Sequence, residues 1–295
     1  MPTTLFSVLI ANYNNGKYLE DALQSIFVQT YTNWEIILVD DASTDNSKDI
    51  YQKYINDTRI HIYYNDKNYG CGYTKHRCAE LANGEICGFL DPDDALTNTA
   101  LEDIVNAHLD NKDASMIYSD CYICDNLLKK TGKPSPNKNV PNDISLLESG
   151  VSGPFHFETF KKAFYNKTDG INAKYQRSID WDLFYKMEEV GKLLFLKKKL
   201  YYYRTNTNNN ISLGDNSGKA LYWKIIITAD ACMRRNLNAE DISYKLFDNA
   251  CNYFSKYNKL CCDYEEMVNN FSFKLGKFIT APFRWIKQQK WFSHK

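Results

Sequence analysis

Short apolar runs alternate with segments of helical period through the first 118 residues, and no other feature of this 295-residue chain restricts its fold as tightly. Residues 7–11 (SVLIA) form a β-rich run closed by the turn residues Asn12-Tyr13-Asn14-Asn15-Gly16. From Lys17, the apolar residues Leu19, Ala22, Leu23, Ile26 and Phe27 recur at the spacing of one helix face, and Trp34-Glu35-Ile36-Ile37-Leu38-Val39 is a second strand-like run. Runs that are apolar on both faces belong to strands covered on both sides, the habit of a parallel sheet. Residues 40–47 carry helix-capping side chains and lead into a helix to Tyr54 and a strand over 60–64. A helix over 73–83 capped by Gly84, a strand over 86–90, a helix over 99–109 and a strand over 114–118 continue the series. The alternation predicts an α/β fold, an open, mainly parallel sheet sandwiched by helices.

Beyond this region the character changes. Residues 125–150 are polar and broken by Pro134, Pro136 and Pro141, which predicts an excursion or loop. Helical pattern returns over 157–165 and 180–190, strand-like LLFL and LYYY follow, and 218–258 reads as helix. After Glu266 there is no acidic residue, while Lys274, Lys277, Arg284, Lys287, Lys290 and Lys295 gather among aromatic residues. A basic, aromatic, amphipathic segment over 269–295 suggests an anionic membrane surface, the alternative being a helix packed on its own domain with a solvated basic face.

Thirty-six Lys and Arg balance 36 Asp and Glu, so no global positive field recruits nucleic acid. Nine scattered cysteines make no disulfide framework and point to a reducing, cytoplasmic setting. Cys121-x-x-Cys124 has no second pair at finger spacing, so buried small residues are preferred to half a zinc site. The start lacks a basic n-region, and no stretch reaches the roughly 18 apolar residues of a spanning helix.

In open α/β sheets ligands bind beyond the carboxyl ends of the strands. Three polar clusters fall at such ends, Asn12-Tyr13-Asn14, Asp40-Asp41 and Asp91-Pro92-Asp93-Asp94, and they are expected to converge. If the backbone stays extended through Pro92, Asp91 and Asp93 project to one side and can address a cation together with a ribose. Oxygen-only ligation suits Mg²⁺ or Mn²⁺. No Walker or G-x-G-x-x-G loop occurs, so phosphate handling would fall to a metal. Asp94 alone reads as a helix cap.

These residues, SVLIANYNNGKYLEDALQSIFVQTYTNWEIILVDDASTDNS and NGEICGFLDPDD, resemble the family 2 glycosyltransferases with their GT-A fold. The resemblance is close over residues 5–118 and looser through SIDWDLFYKM and LYYYRTNTNNNIS to about residue 213. It implies a GT-A catalytic domain over 1–215, with a nucleotide-sugar half to 118 and an acceptor half after it, followed by a helical extension over 216–268. By position it implies that Ala11, Tyr13, Asp40 and Asp41 hold the nucleobase. Asp91 and Asp93 match the DxD positions for ribose and metal, and Asp180 matches the catalytic base. Lys75 stands where the family has an arginine, with Arg77 an alternative phosphate contact, and Ile179 stands where Glu is common. Many relatives carry a His near the position of Asn206 or Thr207.

His156 falls at the acceptor cleft or at the start of a helix. Trp181 reads as a platform for a sugar ring, and His76 as a packing residue. The implied activity is an inverting, metal-dependent transfer of a hexose or N-acetylhexosamine from a UDP-linked donor to a glycan or lipid-linked acceptor in cell-surface polysaccharide synthesis. The enzyme would work in the cytoplasm, at the inner face of the membrane. Ile179 and Lys75 also allow a nucleotide-sugar or glycan-binding module whose chemistry has lapsed. A nucleotidyltransferase would need a Gly-rich loop after the first strand, which residues 12–16 do not supply.

Overall fold

The computed structural model describes residues 3–135, 137, 139–140, 144–149, 156–205 and 217–242. The chain divides into two units, residues 1–239 and 240–295. The segment 269–295 and positions 206 and 207 lie outside the described residues.

The first half follows the expected alternation: β1 (Phe6–Asn12), α1 (Gly16–Phe27), β2 (Trp34–Asp40), α2 (Ser47–Gln52), β3 (Ile60–Tyr64), α3 (Cys71–Leu81), β4 (Ile86–Phe89), a short β5 (Ala95–Leu96) and α4 (Ala100–Asp110). Then come β6 (Ala114–Cys124), β7 (His156–Lys161), α5 (Lys162–Tyr165), α6 (Ile179–Val190), β8 (Lys192–Arg204) and α7 (Ser217–Arg234). Among the described residues eight strands form one sheet in the order β3-β2-β1-β4-β7-β6-β8-β5. The strands β3, β2, β1 and β4 are mutually parallel. β7 runs antiparallel to both neighbours, β8 is parallel to β6, and β5 is an antiparallel edge.

Every residue of β2 is buried, as its two-sided apolar pattern requires. Leu19, Ala22, Leu23 and Ile26 of α1 close over Phe6, Val8, Ile36 and Leu38 in one core, each large side chain contributing about 2 kcal/mol of burial. The register pairs Asn12 with Asp40 and Leu9 with Phe89, so β4 ends three residues short of β1 and β2, and the 91–94 segment that follows it comes to the level where those two strands end.

Four local expectations are corrected. Residues 157–161 are strand, and only 162–165 are helical: the segment pairs with β4 on one side and β6 on the other, and these ladders outweigh its local helical spacing. Gly84 does not cap α3, which ends at Ala82 in extended conformation. A side chain at Gly84 would stand 2.5 Å from the Ser7 hydroxyl, and its N–H donates to that oxygen at 2.7 Å, so close approach is the reason for glycine there. Residues 91–94 are not extended but form a turn closed by the Asp94 N–H on the Asp91 carbonyl at 3.0 Å. Finally, the strand expected over 114–118 runs on to Cys124 as β6. Cys121 and Cys124 are buried, unbridged residues of that strand. Among the described residues no helix is long and apolar enough to cross a membrane.

Candidate active site

The loop after β1 and the loop after β2 are fastened together from within. The amide of Asn12 donates to the Tyr51 hydroxyl at 2.7 Å, and that hydroxyl donates to Asp40 at 2.6 Å. Asp40 also accepts the Ser43 N–H at 2.8 Å and is fully buried. Burial, then Asp40, push the Tyr51 hydroxyl far above its ordinary range, so the proton stays on tyrosine. Asp41 accepts the Asn65 amide at 2.7 Å and the N–H groups of Tyr69 and Gly70 at 2.9 and 2.8 Å, shaping the approach to α3. Gly70 takes φ +92°, which glycine adopts without strain. Both aspartates implied as nucleobase contacts thus have protein partners. Tyr13, 44% exposed, leaves an open ring beside them, and Ala11 is half-buried at the end of β1.

Lys75 ties the third cluster to the second half of the chain. It comes from the first turns of α3, and its Nζ lies 2.8 Å from Asp180 and 3.5 Å from Asp91. The lysine side chain is 9% exposed and the two carboxylates 45% and 43%, so a buried cation bridges two acids that face the crevice. Burial alone would lower its pKa, but Asp180 and Asp91 outweigh that and hold it well above the usual value. Arg77 donates to the Tyr64 carbonyl at 3.0 Å and to Asn65, securing the end of β3. His76 bonds the Ile171 carbonyl at 2.8 Å as a packing residue.

Asp180 and Asp182 diverge. Asp180 is in the first turn of α6, which follows Ser178 in the left-handed region at φ +56°, anchored by its hydroxyl on the Ala220 carbonyl at 2.8 Å. Asp182 turns inward to 1% exposure, meets Lys186 at 2.9 Å and accepts the Asn172 N–H at 2.8 Å. Trp181 packs toward α7, with the Lys224 ammonium 3.5 Å from its ring centroid. Burial lowers Lys224 to about 8.

The sequence left two groups unassigned. Arg204, the last residue of β8 and 2% exposed, donates from Nε to the Asp93 carbonyl at 2.6 Å and from its other nitrogens to the Asn126 carbonyl at 2.6 Å and to Asp21 at 2.7 Å. Its backbone N–H reaches Asp94 at 2.6 Å. Asp94 is therefore no helix cap but a buried strut of the 91–94 turn. Burial, then Asp93 and Asp91, push it well above the usual carboxylate range. The second group is Glu158 of β7, 5% exposed and also raised well above its usual range, by burial and then by Asp180. An alternating reading of FHFETF would have put it on one face with His156. His156 is a strand residue whose ring stacks on Tyr201 and Tyr203 at 5.1 and 4.4 Å.

Asp93, the metal position that the resemblance implies, is half-buried on the turn that Arg204 braces. Among the described residues no group of three or more His, Cys, Asp or Glu is assembled into a cage.

A Glycosyl transferase family 2 model matches residues 7–193. The chondroitin synthase of Pasteurella multocida (strain Pm70) is 26% identical over 279 residues, covering 90% of this chain and 27% of its own length. The hyaluronan synthase of Pasteurella multocida is 28% identical over 258 residues, 83% of this chain and 24% of its own. The chain therefore spans about a quarter of the length of these two synthases. A GalNAc(5)-diNAcBac-PP-undecaprenol beta-1,3-glucosyltransferase of Campylobacter jejuni is 26% identical over 272 residues, 90% of this chain and 84% of its own. Among solved structures, S. aureus TarS 1–349 in complex with UDP-GlcNAc superposes with a TM-score of 0.63 at 17% identity, over 97% of this chain and 78% of that one, which shows a shared fold.

Proposed function

The chain belongs to glycosyl transferase family 2, and from that premise we propose that it transfers a hexose or N-acetylhexosamine from a UDP-linked donor to a glycan or lipid-linked acceptor in polysaccharide synthesis, with inversion at the anomeric carbon. The observation that carries this reading is the Lys75 bridge: the group suited to a departing diphosphate touches both the strand-end acid Asp91 and the candidate base Asp180. The names of the two synthases and the UDP-GlcNAc complex of TarS support the polysaccharide setting and the donor class.

In this mechanism the open ring of Tyr13 stacks on the nucleobase and Asp91 contacts the ribose. Asp180 accepts the proton of an acceptor hydroxyl as that oxygen attacks C1 from the face opposite the diphosphate. The C1–O bond breaks with its electron pair going to the diphosphate, where Lys75 offsets the developing charge. No enzyme–sugar bond forms. Asp93 would hold Mn²⁺ or Mg²⁺, which when bound supplies further charge neutralisation at the phosphates. The basic aromatic segment 269–295 would keep the enzyme at an anionic membrane face, near a lipid-linked acceptor.

Thermal shift with UDP-GlcNAc, with and without Mn²⁺, tests the reading. Saturation at about 100 times Kd stabilises by about 2.7 kcal/mol, a rise in Tm of a few degrees. Asp93→Ala should lose the Mn²⁺-dependent part of the rise and keep the Tm of the ligand-free protein. A Mn²⁺-independent rise of equal size in both proteins would remove the metal role. No rise with any UDP-sugar under either condition would remove the donor assignment.

A further inference from the structure

The lysines of β8 are not treated alike by the fold. Lys192 and Lys198 each meet an aspartate, Asp113 and Asp103, at 2.6 Å. Lys199 meets a ring instead: its ammonium lies 5.2 Å from the centroid of Tyr122 on the neighbouring strand β6. Lys130, on the segment that folds back after β6, stands 3.7 Å from the same ring and 5.5 Å from that of Tyr202. Tyr122 and Tyr202 are partners in the ladder and stack at 5.4 Å with 21° between their planes. Among the described residues neither Lys130 nor Lys199 forms an ion pair, and both are exposed. The acids beside them are engaged with backbone. Asp120, opposite Lys199 in the ladder, accepts the Cys121 N–H at 2.8 Å, and Asp125 accepts the N–H groups of Leu127 and Lys129, each at 2.9 Å. Two like charges drawn to one aromatic pair repel each other, and the fold supplies no anion between them.

The aromatic pair borders a groove. Strand alternation turns Tyr202 to the face opposite Tyr201 and Tyr203, which stack on His156. On the Tyr202 side, Leu128, Asn98 and the α1 residues Asp21 and Gln24 line a groove of about 420 Å³. Leu128 sits at φ +60°, a region that a branched side chain rarely adopts, in a turn tied down by Asp125. The groove lies outside the crevice but next to it: Asp21 pairs with Arg204 at 2.7 Å, and Arg204 holds the Asp93 carbonyl at 2.6 Å.

Ammonium groups held over rings stay charged and are fixed in place, and the two come from different segments, so anions repeated along a chain answer both. Tyrosine rings offer a face to the C–H side of a pyranose, and the amides lining the groove suit its hydroxyls. We propose that Tyr122, Tyr202, Lys130 and Lys199 form a second carbohydrate site, outside the crevice, for a sugar chain whose rings carry carboxylates. That this chain is the acceptor or the product rests on the glycosyltransferase reading; the binding itself does not.

Isothermal titration of the full-length protein, without nucleotide, tests the site with hexagalacturonate, the neutral maltohexaose, inorganic tripolyphosphate and phosphatidylglycerol vesicles. Hexagalacturonate should bind the wild type at least about tenfold more tightly than maltohexaose or tripolyphosphate. Lys130→Ala/Lys199→Ala should weaken it about tenfold or more. Lys53→Ala/Lys192→Ala, which removes the same charge from two paired lysines elsewhere, should stay within about twofold. So should Leu127→Ser, which removes the side chain a bilayer would engage, 81% exposed. The Tm of Lys130→Ala/Lys199→Ala should hold or rise as the repulsion is relieved, where a purely structural role would lower it. This variant keeps the basic segment 269–295, so its loss of binding reports on the patch alone. The proposal is overturned by hexagalacturonate that fails to bind or binds the double variant equally, by equal affinity for tripolyphosphate or maltohexaose, by an equal loss in the control variant, or by a fallen Tm. Vesicle binding that Leu127→Ser abolishes, with no uptake of hexagalacturonate, overturns it in favour of a membrane contact. UDP-GlcNAc is titrated separately: a protein that takes hexagalacturonate at the patch but no UDP-sugar keeps this site and loses the transferase reading.

Discussion

Asp180 and Asp182 are two residues apart in one helix, about 200° around its axis, and the fold gives them opposite tasks. Asp180 reaches Lys75 in the crevice, whereas Asp182 is sealed against Lys186 and the Asn172 backbone. Asp180→Asn retains shape but cannot take a proton, so transfer should fall by about 10²-fold or more, with UDP affinity and Tm little changed. Asp182→Asn leaves Lys186 as a buried cation facing an amide, so it should lower stability by up to about 3 kcal/mol while the remaining folded enzyme turns over nearly normally. The pair of variants is read by kcat and by denaturant unfolding. The opposite pattern would move the base away from Asp180.

At the scale of elements, β8 connects parts of the chain far apart in sequence. Its final residue, Arg204, reaches the 91–94 turn, the Asn126 carbonyl and Asp21 of α1, and its guanidinium lies 4.5 Å from the Tyr18 ring. The guanidinium fork can serve three acceptors at once, whereas the single ammonium of a lysine has neither the spread nor the reach. Arg204→Lys should therefore cost about 2–4 kcal/mol of stability. It should also loosen the turn that carries Asp91 and Asp93, weakening UDP-GlcNAc about tenfold even in the folded population. Urea unfolding and titration at low temperature separate the two effects. A variant matching wild type in both would show that the turn holds without β8.

Over the whole molecule, burial fixes protonation states that water would not, and this makes stability depend on pH. His108 is buried, bonds the Thr159 hydroxyl at 3.0 Å and is pulled down to about 3 from an ordinary 6.5. Below about pH 6.5 the unfolded chain takes up a proton that the folded chain refuses, so stability is lost as pH falls from 6.5 toward 3. His156, lowered to about 4, acts in the same direction. Asp94 and Glu158 act oppositely: burial raises both carboxyls above their ordinary range, so they favour the fold more as pH falls toward that range. The test is consequently a difference. His108→Gln should show a shallower loss of stability between pH 6.5 and 4.5 than wild type, by about 2 kcal/mol over that span. Equal slopes would mean that His108 is accessible to protons in the folded state.

The alternation of strand and helix to residue 118, the burial of β1 and β2, and the polar clusters at the strand ends were all legible in the sequence. Each is written in local periodicity, which the backbone geometry of helix and strand imposes within a few residues. The resemblance also singled out Lys75, Asp91 and Asp180, but not the ion pairs that join them. Residues 157–161 looked helical because their spacing allowed it, and became a strand because β4 and β6 each left a row of backbone groups to be paired. The turn at 91–94, the inward face of Asp182, the brace from Arg204 and the unpartnered carboxyl of Glu158 likewise depend on partners between 10 and 183 residues away, or on their absence. Local pattern determines which element a segment forms. Which side chain is left without water and which finds a partner is decided only when distant elements are brought into contact, because desolvation and pairing act through space.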